Sequence, residues 1–231
     1  MIYTVTLNPA LDKTVQIPSF RLGEVNRISA MRTDPGGKGI NVSKVLRELG
    51  EPSVAAAILG GAAGQKIESA LRALGIEGMY LFTGHETRTN LKIVDPTLHT
   101  NTDVNEPGAP ADEAVLSKLL TQLTDRLRPG DLVVLSGKAP AGAPDTLYRD
   151  WILACRAAGA AVYLDAEGEL LRQGVTAGPA LIKPNQAELS GVMGRPLTTE
   201  DETIRAAQEL LAQGVGCVAV TMGAGGALLC W

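Results

Sequence analysis

From Asp112 onward, helical and extended apolar segments alternate with an even rhythm, and this limits the fold more than any other feature of the chain. Helical patterning over 112–127, 143–158, 167–173, 185–193 and 200–213 is interleaved with apolar runs at 132–136, 161–164, 180–183 and 217–221. Strands separated by helices pair in parallel through right-handed crossovers. The expected fold class is therefore α/β: a mostly parallel central sheet between two helical layers. Composition agrees, because the 45% hydrophobic content contains only 3% aromatics. Ala, Val, Leu and Ile suit strands buried on both faces.

The first half is less regular. Residues 2–7 and 54–59 read as buried strands. The stripe Ile40, Val42, Val45, Leu46 and Leu49 reads as a helix ending near Gly50, and 65–74 as a second helix. Extended stretches near 13–17 and 26–33 are of mixed polarity, which suits a place outside the main core, while 76–82, 88–94 and 100–105 read as further strands.

Composition also excludes functions. The net charge is −4 with no basic stripe, so no nucleic-acid partner is expected. Cys155, Cys217 and Cys230 are odd in number and show no CxxC spacing, which argues against a disulfide framework and for a reducing cytoplasm. With only His85 and His99, a histidine-rich metal site is not expected. No leader and no apolar run of about 18 residues is found, so no membrane partner is expected. Ala227–Trp231 starts a new apolar strand after a glycine turn, and further sequence is expected beyond it.

In open α/β sheets, ligands bind beyond the carboxyl ends of the strands. Asn8 and Asp12, Ser136-Gly137-Lys138, Asp165, Lys183-Pro184-Asn185-Gln186-Ala187-Glu188 and Thr221-Met222-Gly223 all fall there. Gly36-Gly37-Lys38-Gly39 lets backbone approach a ligand and opens a helix whose amides point at it. It is not a Walker A loop, because Gly39 stands where Ser or Thr is needed. The same pattern also suits a plain tight turn. Arg88, Asn90 and Lys92 share one strand face, as phosphate contacts or as a solvated face. Asn185 and Glu188 suit a helix cap as well as a magnesium site shared with Asp165. Thr221–Gly226 suits a hairpin as well as a nucleotide loop.

Taken together and in order, these segments resemble the PfkB (ribokinase-like) carbohydrate kinases. The carriers are Thr6-Leu7-Asn8-Pro9-Ala10-Leu11-Asp12, Gly23-Glu24-Val25-Asn26-Arg27, Asp34-Pro35-Gly36-Gly37-Lys38-Gly39-Ile40-Asn41-Val42, Thr87-Arg88-Thr89-Asn90 and Asn105-Glu106-Pro107-Gly108, followed by the Lys183–Glu188 and Thr221–Gly223 segments. Within that family the chain is most similar to the 1-phosphofructokinases. The resemblance implies a three-layer αβα domain over 1–231, with a small β lid from about 13–33 and 88–106, and a homodimer formed lid to lid. It implies ATP and Mg2+ as cofactors and a sugar phosphate as substrate, fructose 1-phosphate becoming fructose 1,6-bisphosphate. A tagatose 6-phosphate or 6-phosphofructokinase relative is the alternative within enzymes; a non-catalytic sugar-phosphate-binding protein is the alternative outside them.

Roles follow by position. The resemblance implies that Asp12, Gly37, Lys38 and Asn41 contact the sugar, and that Arg88, Asn90 and Arg27 serve its phosphate, Arg27 from a partner's lid. Lys183, Asn185, Glu188, Thr221, Gly223 and Gly225 serve the nucleotide, and Asp165 with Glu188 serves magnesium, Asp165 through water. Two departures stand out. Lys138 occupies the position of the second serine in the family's Ser-Gly-Ser, which lies near the sugar; longer and charged, it is expected to favour a phosphate or alter the sugar preference. The Gly-Ala-Gly-Asp segment that would carry the general base is expected beyond Trp231, since no Asp follows Ala224-Gly225-Gly226. Without that base, transfer by these residues alone is expected to slow by about 10²–10⁴.

Overall fold

The computed structural model describes residues Met1–Trp231. The first half contains β1 (Ile2–Thr6), β2 (Ala10–Gln16), β3 (Ala30–Gly36), α1 (Lys38–Glu48), β4 (Ser53–Gly60), α2 (Gly61–Ala73), β5 (Glu77–Thr83), β6 (Thr89–Asp95) and β7 (Thr100–Asn105). The second half contains α3 (Glu113–Arg126), β8 (Leu132–Ser136), α4 (Leu147–Ala157), β9 (Ala161–Asp165), α5 (Gly168–Val175), β10 (Leu181–Ile182), α6 (Gln186–Met193), α7 (Glu200–Ala212), β11 (Val218–Thr221) and β12 (Ala227–Cys230), with a 3-10 turn at Gly223–Gly225. No helix is long and apolar enough to cross a membrane.

Eight strands form the central sheet in the order β12-β11-β10-β9-β8-β1-β4-β5. Every pairing is parallel except β11 with β12. Alternation along the strands separates two cores. Tyr3, Val5, Val54 and Ala56 join the larger one with Leu119 and Leu123 of α3 and Ile152 of α4. Ala55, Ala57 and Leu59 turn the other way and pack with Ile40 of α1 and Ile67 and Leu71 of α2. Thr4 and Thr6, on the α1 side of β1, spend their hydroxyls on Ser43 Oγ (2.7 Å) and the Ile40 amide (2.9 Å). Helices thus cover both faces, as the three-layer expectation requires.

A second sheet runs in the order β3-β2-β6-β7. One face buries Val15, Ile17 and Ile93. The other is polar: Asp34, Asp12, Asn90 and Asn105 lie in one cross-strand row, and Arg32, Thr14, Lys92 and Asp103 in the next. The chain enters this sheet after Asn8-Pro9, leaves it at Gly36 to build α1 through β5, re-enters at Thr89 and leaves again after Asn105.

Some boundaries differ from the sequence reading. The stretch expected to be extended from 26 pairs only from Ala30. The Asn26 side chain instead accepts from the Arg21 amide and donates to the Arg21 and Glu24 carbonyls, closing a local turn that competes with strand pairing. Pro35 and Gly36 belong to β3 rather than to a turn. The helix expected from 143 starts at Leu147, after a turn with Gly142 at φ 80.

Candidate active site

Strand order reverses direction around β1, since β4 and β5 lie on one side and β8 to β12 on the other. Ligand clefts form at such switch points. A cavity of about 310 Å³ opens there, lined by Thr6, Asn8, Gly37, Lys38, Asn41, Arg88, Asn90, Asn105, Ser136, Gly137 and Lys138, none of them hydrophobic or acidic. Residues from β1, β8, α1 and the second sheet therefore meet at one place.

The glycines explain how α1 reaches it. Gly37 caps α1 at φ 118, a conformation closed to most side chains, and a Cβ there would lie 2.6 Å from Thr6 Cγ2. A Cβ on Gly36 would lie 2.1 Å from Asp12 Oδ2. The turn thus brings backbone against the Asp12 carboxylate and leaves the first amides of α1 without a side-chain cap from Gly37.

Asp12 and Asn90 are cross-strand neighbours in β2 and β6. Asn90 Nδ2 donates to Asp12 Oδ1 at 2.9 Å. This leaves Asn90 Oδ1 buried with no partner, and Ser136 Oγ is in the same state. Ser136 ends β8 and is 1% exposed. A buried polar atom without a hydrogen bond is costly, about 1–3 kcal/mol. Two such atoms lie on residues that line this cavity.

Arg88 spans the junction of the two sheets. Its Nη2 donates to Asn8 O (3.1 Å), Nη1 to Glu106 O (3.0 Å) and Nε to Pro9 O (3.4 Å). Burial lowers its pKa, while Asp12 and Glu106 pull the other way. The guanidinium keeps further N–H groups for an anion.

Asp165, at the end of β9, accepts from Lys38 Nζ through Oδ1 (3.1 Å) and pairs with Lys183 Nζ through Oδ2 (3.3 Å). It joins the cavity to the ends of β10 and β11. There Asn185 and Glu188 form a capping box on α6: Asn185 Oδ1 accepts from the Glu188 amide and Glu188 Oε2 from the Asn185 amide, both at 2.8 Å. Thr221 pairs with Asn185 in a parallel bridge and donates its amide to Pro184 O at 3.0 Å. Gly223 and Gly225 form the exposed 3-10 turn beyond it.

Nine of the residues singled out from sequence therefore line one cavity: Asn8, Gly37, Lys38, Asn41, Arg88, Asn90, Ser136, Gly137 and Lys138. Asp12 touches it through Asn90, and Asp165 through Lys38. Arg27 does not reach it: that residue lines a separate surface hollow formed by the loop 18–29. Thr6 and Asn105 enter the sequence reading only as the first residues of two motif segments, with no role attached. The further signals for them are their positions at a strand end and opposite Asn90 in β7.

The same fold recurs in known proteins. The family model "pfkB family carbohydrate kinase" matches residues 5–230. A 1-phosphofructokinase of Rhodobacter capsulatus is 42% identical over 99% of this chain and 72% of its own length. That of Bacillus subtilis is 36% identical over 99% of this chain and 74% of its own. Escherichia coli phosphofructokinase-2, solved in complex with fructose-6-phosphate, superposes with a TM-score of 0.95 at 32% identity, over 99% of this chain and 76% of that one. With a sheet, a glycine-opened helix and a polar second sheet meeting over one cavity, and with relatives matched along nearly all its length, the chain belongs to the pfkB family of carbohydrate kinases.

Proposed function

We propose that this chain transfers the γ-phosphoryl group of ATP to a sugar phosphate, with fructose 1-phosphate as the acceptor that becomes fructose 1,6-bisphosphate. The observation that carries the reading is the pair of unpartnered buried atoms, Asn90 Oδ1 and Ser136 Oγ, beside Asp12 and three cationic side chains. A hydroxylated anion satisfies both needs. Its hydroxyls donate to Asn90 and Asp12, and its phosphate meets the remaining N–H groups of Arg88. The polar face of the second sheet overhangs the cavity through Asn90 and Asn105 and acts as a lid that excludes water.

Nucleotide would lie along the ends of β10 and β11, over Lys183, Asn185, Glu188, Thr221, Gly223 and Gly225. In the transfer, an acceptor hydroxyl oxygen bonds to the γ-phosphorus as the bond from that phosphorus to the bridging oxygen breaks, and ADP leaves. The hydroxyl proton passes to a base. No acidic residue lines the cavity, and the family resemblance assigns the base to the Asp of a Gly-Ala-Gly-Asp segment. Lys38 and the free first amides of α1 meet the sugar, as the resemblance implies, and the anion hole for the transferring group falls to the same Gly-Ala-Gly-Asp segment.

No group of three or more His, Cys, Asp or Glu residues forms a metal cage. Both Asp165 oxygens contact lysines and one Glu188 oxygen serves the helix cap. These carboxylates fit a magnesium ion borne on the nucleotide phosphates and reached through water. Such an ion would neutralise charge on the β and γ phosphates. ATP chemistry and the three free cysteines, Cys155, Cys217 and Cys230, suit a cytoplasmic protein.

Steady-state ADP release with fructose 1-phosphate, fructose 6-phosphate and tagatose 6-phosphate tests the reading. The highest kcat/KM is expected with fructose 1-phosphate, and Asn90→Ala should raise KM for the sugar at least tenfold. A preference for a 6-phosphate would favour the second reading, which the fructose-6-phosphate complex of the E. coli neighbour supports. Tight sugar binding with no ADP would favour a binding protein.

A further inference from the structure

The segment that joins β5 to β6 is fastened more closely than a connecting loop needs to be. It carries the chain from the central sheet back into the second sheet, and it runs over the turn from β4 into α2. Gly60 and Gly61 make that turn, and Gly60, as N-cap, offers α2 no side chain. The crossing supplies what is missing. Glu86 Oε1 accepts from the Ala63 amide (2.6 Å) and Oε2 from the Ala62 amide (3.1 Å). Thr87 Oγ1 accepts from the Gly60 amide (2.8 Å), and the Thr87 amide donates to Gly60 O (3.0 Å). The approach is close enough to restrict the turn: a Cβ on Gly60 would collide with His85 O, and one on Gly61 with Glu86 Oε2.

Arg88 is the next residue. Its carbonyl accepts from the Leu11 amide at 2.9 Å, on the second sheet. Its guanidinium reaches the first crossing at Asn8 and Pro9 and the last at Glu106. Those two crossings hold each other, since Asn8 Nδ2 donates to Pro107 O at 3.1 Å. Arg88 thus stands where three crossings meet, and its own crossing is docked on a core helix by the two residues before it. Neither Glu86 nor Thr87 lines the sugar-phosphate cavity. Both line a separate small hollow, which shares Asn8 and Arg88 with that cavity.

We infer that Thr87 and Glu86 are positioning residues for Arg88: by docking this crossing on the first turn of α2, they set where the guanidinium stands at the cavity and so how tightly a sugar phosphate is held. Neither touches the ligand. Thr87 carries the larger share. It is buried, and loss of its hydroxyl takes away the side-chain partner of the buried Gly60 amide. Glu86 is exposed, so water reaches the α2 amides when its carboxylate is removed. The inference rests on the reading of Arg88 as the phosphate contact.

Calorimetric titration of the full chain with fructose 1-phosphate tests it in Thr87→Val, Thr87→Ser and Glu86→Ala, each made alone and together with Arg88→Ala. Thr87→Val keeps the shape and removes the hydroxyl. It is expected to weaken binding about tenfold, because a binding group displaced by about 1 Å loses its productive geometry. Thr87→Ser restores the bond and is expected to stay within about twofold of wild type. Glu86→Ala is expected to weaken binding about threefold. In the Arg88→Ala background, Thr87→Val and Glu86→Ala are expected to weaken binding no further, since residues that act through one shared partner are not additive. The same weakening with and without Arg88 overturns the inference, because it marks a general loosening of the fold. Wild-type affinity in both Thr87→Val and Glu86→Ala overturns it as well. If Arg88→Ala alone binds as tightly as wild type, or the wild type does not bind, the phosphate reading itself falls and takes the inference with it. Thermal melts identify any variant that does not fold, and the exposed Glu86→Ala decides the question should Thr87→Val be one of them.

Discussion

Glu188 serves two needs at one position. Its carboxylate closes the capping box of α6 by accepting from the Asn185 amide, and the same side chain is proposed to face the nucleotide's magnesium. Glutamine separates the roles, because a capping box accepts Gln in place of Glu while losing the charge. Glu188→Gln is expected to leave thermal stability within about 0.5 kcal/mol of wild type and to weaken Mg·ATP binding. Glu188→Ala is expected to weaken Mg·ATP binding too and to lose about 0.5–1 kcal/mol of stability with the glutamate half of the capping box, while Asn185 still caps the helix. Thermal melts and nucleotide titrations distinguish the cases. If Glu188→Gln binds Mg·ATP as tightly as wild type does, Glu188 is a helix cap and nothing more.

At the scale of elements, the second sheet depends on one carboxylate. Asp95 ends β6 and accepts from the amides of Ser19 (3.0 Å), Phe20 (2.7 Å), Thr97 (2.8 Å) and Leu98 (3.1 Å). It therefore ties the loop after β2 to the turn before β7. Burial alone would raise this carboxyl's pKa, but the amides of Leu98, Phe20, Thr97 and Ser19 together hold it below the ordinary value. A depressed folded pKa stabilises above the unfolded value, near pH 4, and that contribution disappears as pH falls through the folded value. Asp95→Asn should lower the melting temperature at neutral pH and flatten its decline below about pH 4. An unchanged acid limb would mean that Asp95 does not carry this dependence. The sheet was legible in sequence only in part. β2 and β6 alternate, with Leu11 and Val15 on one face and Asp12 and Thr14 on the other. The loop 18–29 gave no such signal, because Asn26 closes it through its side chain. The site divides the same way. Gly36, Gly37, Asp12 and Asn90 could be read because close approach and phosphate chemistry restrict residue type. Thr6 and Asn105 could not, since polar residues end many strands. That Ser136 Oγ lacks a partner is a tertiary fact that no local pattern encodes.

At the scale of the molecule, the second sheet leaves apolar surface uncovered. Leu22 is 90% exposed and Val25 85%, with Ile28 and Met31 more than half exposed on the same loop and the start of β3. Scattered apolar residues are ordinary on a surface, but a cluster on one projecting loop fits an interface. Arg27 lies in this cluster and lines no part of its own chain's active-site cavity. A lid-to-lid homodimer would explain both facts, covering the apolar loop and carrying Arg27 toward the neighbouring subunit's sugar phosphate. Light scattering at micromolar concentration should then give a mass near twice 24.1 kDa. The double variant Leu22→Asp/Val25→Asp should run as a monomer, since burying two carboxylates against apolar surface is strongly unfavourable. Arg27→Ala should weaken fructose 1-phosphate binding in the dimer and have no effect when made in the monomeric variant. That last comparison decides the role: if Arg27→Ala matters equally in both backgrounds, the arginine acts within its own chain. If the wild type is itself a monomer that binds the sugar phosphate, the apolar loop serves something other than a second copy.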